Sequence, residues 1–209
     1  MEFSVPMALV DYIPVICFAI AAVMLIKMLH NKMNALSFAL FSAGTIDIVC
    51  AGALKATYKL LYAANVCDFQ PLNAMFFPVQ SIGFLLAGVG ILLMICQKQG
   101  KGALLSAAAP TMYKGTFIFV GLMVAGLGVM DTVLCILCAK LKKKWLIAVF
   151  VLSFVCSLAM GYLSSKDFAQ AAMNWIAEAI NIIGQGSLLF GVCMLKKAGL
   201  AELALNKQE

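Results

Sequence analysis

Six apolar stretches, near residues 11–30, 35–62, 73–96, 115–139, 144–163 and 170–195, take up most of the 209-residue chain. Each is about as long as a helix that crosses the roughly 30 Å hydrocarbon core, which needs about 20 apolar residues. Backbone amides inside lipid must be satisfied within the segment, so such stretches fold as helices. The composition agrees: 64% of residues are hydrophobic and 11% charged, against about 25% charged in an average soluble domain. Lipid is therefore the solvent for nearly the whole chain. The expected fold is all-α, a polytopic transmembrane bundle of about six spans forming one integral membrane domain over 1–209. No cleavable signal is evident, because the first apolar run lacks a basic leader and is followed by further spans. It reads as an uncleaved anchor.

The charge excludes several function classes. The formal net charge is +6, and all fifteen basic residues are lysines. Without arginine, a bidentate clamp for phosphate or carboxylate is disfavoured. The lysines gather at span ends rather than on a soluble face, which argues against a nucleic-acid partner. The single histidine, His30, cannot supply a multi-histidine metal site or bis-histidine haem ligation. No Gly-rich nucleotide loop of the P-loop type occurs. Cys135 and Cys138 form a C-x-x-C, but inside an apolar run with no second pair nearby, so the cysteines read as small packing residues. No cofactor is expected.

Polar residues inside apolar spans carry the functional signal. Asn174, Glu178, Asn181 and Gln185 follow i, i+4, i+7, i+11 in the last span. At 100° per residue they fall within about 60° of one helix face. A central acidic residue costs about 2.5–3.5 kcal/mol on insertion scales, so this stripe should face the bundle interior. Trp175 beside it suits an interfacial aromatic belt. In the second span Asp47, Lys55, Tyr58 and Tyr62 share about an 80° arc. Asp47 lies too deep to reach the interface, whereas Lys55 and Lys59 can snorkel; Lys55, Tyr58 and Tyr62 are candidate cavity-lining groups. Asp131 lies in the fourth span on the face that carries Cys135 and Cys138. It is either a third ion site or a counter-charge to a lysine such as Lys55. Gln80 in the third span shares a face with Asn73. An aspartyl-protease pair of Asp47 and Asp131 is disfavoured, because Gly44-Thr45-Ile46-Asp47 lacks the G-x-G-D form.

A weak internal repeat aligns Ala74–Lys98 with Ala172–Lys196 without gaps, with identities that include Met75/Met173, Ile82/Ile180 and Gly88/Gly186. It matches Gln80 to Glu178. A duplication would divide the chain into halves 1–100 and 112–209, three spans each. With strict alternation an odd number of spans inverts the second copy, as in many transporters. Alternation also puts both termini on one side, with nine lysines there against six opposite, which favours both termini inside. The preferred function is a small permease or secondary transporter in the plasma membrane for a cationic or neutral polar molecule, with proton or cation coupling, and not an enzyme. The sites would be Asp47, Gln80, Asp131, Asn174, Glu178, Asn181 and Gln185. Partners are the bilayer and a small-molecule or ion ligand, with a homo-oligomer or a partner subunit as further associations. The alternatives are a substrate-binding subunit of a larger transport complex and a lipid-modifying membrane enzyme.

Overall fold

A computed structural model describes residues 4–96, 116–163 and 171–203. It is all-α, with six spans long and apolar enough to cross a membrane, and no strand occurs among the described residues. The chain is an integral, multi-pass membrane protein. A short apolar segment at 103–109 and the turn at 164–168 between the last two apolar runs lie outside the described residues.

The first span runs Val5–Lys32 and has two parts, α1 (Val5–Val10) and α2 (Tyr12–Leu29), joined at Asp11. Ser4 caps α1 by accepting from the Met7 amide at 3.4 Å, and a proline stands in its first turn, where a missing amide hydrogen costs nothing. Next come α3 (Ala35–Ala63), capped by Asn34, the short α4 (Gln70–Ala74), and α5 (Phe76–Cys96). The rest is α6 (Thr116–Lys140), α7 (Trp145–Leu163) and α8 (Ala171–Lys197). Three helices end alike, on a residue in the left-handed region: Asn65 (φ 55°), Lys142 (φ 58°) and Gly199 (φ 83°). In each case the following amide reaches back five residues, Val66 to Leu61, Lys143 to Cys138 and Leu200 to Leu195. This pairing satisfies carbonyls a helix end would otherwise leave bare.

The six spans pack in a closed ring in chain order, with α8 returning to α2. The seam between α3 and α5 is the most extensive and that between α5 and α6 the next. Glycines make both possible. A Cβ on Gly44 would overlap the backbone of Gly83 and Ala87, and one on Gly126 would overlap the backbone of Phe84. Close approach at small residues is how helices associate where lipid offers no hydrophobic drive. Outward faces carry exposed apolar residues such as Ile16, Ile20 and Val23 on α2 and Val151, Leu152 and Val155 on α7.

The direction of the helices differs from strict alternation. Ser81 of α5 donates to the Phe119 carbonyl of α6 at 2.7 Å, and Gly88 lies against Gly126. Seven residues on one helix match seven on the other, so α5 and α6 run parallel. The same holds for α2 and α8: Cys193 meets Met24, and Lys32 donates to the carbonyls of Ala201 (2.8 Å) and Leu203 (2.6 Å). The neighbours within each half are antiparallel, as Tyr12 on Thr57, Ser37 on Gly90 and Gly161 on Val120 show. The units α2-α3-α5 and α6-α7-α8 therefore have the same up-down-up sense, and an inverted relation between them does not describe this chain. The first and last described residues lie on opposite faces of the bundle, not on one. The departure from alternation lies between α5 and α6: α5 ends on the face opposite to that where α6 begins.

Candidate functional site

Three charged groups meet inside the ring near the face that bears Ser4, called here the N-terminal face. The Lys59 ammonium lies 2.5 Å from Asp11 Oδ2 and 2.9 Å from Glu178 Oε1. All three residues are buried, at 7%, 8% and 4% exposure. Local structure delivers each one. Asp11 sits at the joint of α1 and α2, Lys59 one turn before the end of α3, and Glu178 two turns into α8. Breaking such a buried pair by removing one partner costs about 3–5 kcal/mol, because a charge is then left uncompensated. Glu178 keeps a second oxygen, Oε2, without a hydrogen-bond partner among the described residues.

The triad borders a cavity of about 150 Å³ to which all six spans contribute. Its polar wall holds Asp11, Lys55, Gln80, Glu178, Asn181 and Gln185. Glu178 and Gln185 stand seven residues apart on α8, about 10 Å along the axis. The Gln185 Oε1 is buried and also lacks a partner, so the wall presents two open acceptors. The floor is apolar: Phe18, Ile48, Phe84, Met123 and Leu127. Phe76 and Phe77 close a further side, and the Lys55 ammonium rests 4.1 Å from the centre of the Phe76 ring, a cation–π contact. Toward the opposite face the ring is packed solid by residues such as Leu25, Met130, Leu134, Phe150 and Leu195. A void of this size matches a benzene-sized guest, and the mixed lining matches the usual small-molecule site, apolar with a few placed polar groups.

Among the residues singled out in the sequence, Gln80, Glu178, Asn181, Gln185 and Lys55 come together at the cavity. Gln80 and Glu178, matched by the repeat alignment, both line it. Asn174 is buried one turn before Glu178. Tyr58 is buried but looks away, toward the loop: its hydroxyl donates to Asp68 at 3.1 Å and accepts from Gln70 at 3.2 Å, with Tyr62 beside it. Asp47 is half-buried against Gly83 of α5 and does not line the cavity. Asp131 is 4% exposed in the core of α6, with neither oxygen hydrogen-bonded among the described residues. It is not the counter-charge of Lys55, which sits over Phe76.

Two members of the triad were not among the candidates. Lys59 was expected to snorkel to the interface and instead turns inward. Asp11 seemed to lie at the edge of its span. The capping serine at Ser4 and the proline behind it mark an earlier start, and they place Asp11 two turns inside. A scan of family models, and searches of curated proteins and of solved structures, match nothing to this chain.

Proposed function

We propose that this protein is a small permease that takes a cationic or neutral polar molecule of about benzene size into the cavity beside Asp11, Lys59 and Glu178. One observation carries the reading: two members of a buried ion triad, Asp11 and Glu178, line a cavity built by all six spans, and two acceptors on that wall have no hydrogen-bond partner among the described residues. Glu178 Oε2 and Gln185 Oε1 are spaced to accept from donors on a guest, with Gln80 and Asn181 available to orient it. The apolar floor takes the hydrocarbon part. The formal charges of Asp11 and Glu178 on the wall are balanced by Lys55 on it and by Lys59 paired behind it, which suits a neutral guest. A cationic guest would bind by taking the place of the Lys59 ammonium between the two carboxylates.

The test is uptake into proteoliposomes of a radiolabelled panel of small amines, amino alcohols and amides. The purified chain should accumulate at least one of them. A hydrogen bond to a charged group is worth about 1.5–3 kcal/mol, so Glu178→Gln should cut uptake of that compound roughly ten- to hundred-fold. Uptake of no panel member, or uptake indifferent to Glu178→Gln and Gln185→Leu alike, would remove the proposal.

A further inference from the structure

Among the described residues, Asp131 is the one buried carboxyl that the cavity does not use. It stands one turn past Leu127, a residue of the cavity floor, on the same stripe of α6, about 40° round and about 6 Å further along the axis. It points into the protein, at 4% exposure, amid the buried Met130, Val133 and Leu134. Neither of its oxygens has a hydrogen-bond partner among the described residues.

The helices packed most extensively against α6 are α5 and α7. The only ionisable residue of α5 is Cys96, which is exposed at its far end; α7 has only Cys156 and the exposed Tyr162. On α6 itself, Cys135 lies one turn on and Lys140 is exposed at the helix end. No base faces this carboxyl from any of them.

These facts select the ligand. A hard metal cation takes several oxygen ligands, and the surroundings of Asp131 supply none besides its own carboxyl. An unpaired carboxylate buried in apolar surroundings is strongly disfavoured. A proton needs only the carboxyl itself and removes the charge. We infer that Asp131 is a proton-binding site, placed between the cavity and the packed half of the bundle, which holds one proton while it is buried and exchanges it with water. The step is acid–base alone: carboxylate plus proton gives carboxylic acid, with no redox partner. Its role in coupling rests on the permease reading, but the site itself is tested without any substrate.

The experiment is infrared difference spectroscopy of the full chain in liposomes. A protonated carboxyl free of hydrogen bonds gives a C=O band well above the amide bands. The expected result is such a band in the parent protein, lost in Asp131→Asn, moved in frequency in Asp131→Glu, and shifted downward on transfer to D2O. Glu178→Gln should leave the band in place, so a failed cavity proposal and a failed proton site give different results. Identical spectra in that carbonyl region for the parent, Asp131→Asn and Asp131→Glu proteins would overturn the inference. So would a band that Asp131→Asn removes but that D2O never shifts, since a sealed acid exchanges nothing. Should Asp131→Asn fail to fold, Asp131→Glu decides alone, by whether the band moves.

Discussion

At the scale of single residues, the triad is where stability and function meet. Replacing Lys59 by methionine leaves Asp11 and Glu178 facing each other, buried and without their cation. The loss should be about 3–5 kcal/mol, read as a fall in the unfolding midpoint in detergent. Adding Asp11→Asn and Glu178→Gln to Lys59→Met should recover most of it, because no uncompensated charge then remains. A triple variant as unstable as the single one would mean that Lys59 acts by packing its stem, not by pairing. One member of the three, Glu178, is legible in the sequence. The spacing from Asn174 to Gln185 puts Glu178 on an inward face, since each polar group on that stripe would be costly in lipid. Asp11 and Lys59 were hidden for a different reason. Each lies near a span end, where lysine and aspartate ordinarily reach water, and only tertiary packing reveals that these ends lie inside. Asp131 shows the converse: its depth is plain from the apolar run around it, while its lack of a partner is a property of three helices at once.

At the scale of elements, six helices and nearly all their limits follow from the apolar runs, because backbone satisfaction in lipid admits few other solutions. What the runs do not show is which glycines are essential. Gly121 and Gly186 have open space where a Cβ would go, whereas Gly126 would drive one into the Phe84 backbone. Gly126→Val should therefore part α5 from α6, costing about 1–3 kcal/mol or more, while Gly121→Val should be nearly neutral; both are read as detergent unfolding midpoints. A neutral Gly126→Val would show that this seam does not hold the halves together. The same contrast limits the repeat. A Cβ on Gly88 would run into Gly126, yet one on its aligned counterpart Gly186 would meet nothing within 4 Å, so that identity does not reflect a shared close approach. The match of Gln80 to Glu178 is more telling, since both side chains reach the cavity.

At the scale of the whole molecule, direction was the feature that could not be read, because a count of spans assumes that every connection turns back on its own side. With α5 and α6 parallel, the described lysines sort sharply. Lys27, Lys32, Lys140, Lys142, Lys143, Lys144, Lys196 and Lys197 all fall at the face where α2 and α8 end, while Lys55 and Lys59 at the other end are turned inward. The positive-inside tendency then predicts that this lysine face is cytoplasmic and that the N-terminus is outside. Cysteines introduced at Ser4 and at Ala201, in a background without native cysteines, should be labelled by a membrane-impermeant maleimide from opposite sides of intact cells. Labelling of both from one side would overturn the parallel arrangement. A consequence follows for re-cutting the chain. Natural bundles with adjacent ends tolerate circular permutation, the old termini being joined and new ones opened elsewhere. Here a linker from Leu203 back to Ser4 would itself have to traverse the roughly 30 Å of hydrocarbon, as an added helix of about 20 residues, so no short tether can join these two points.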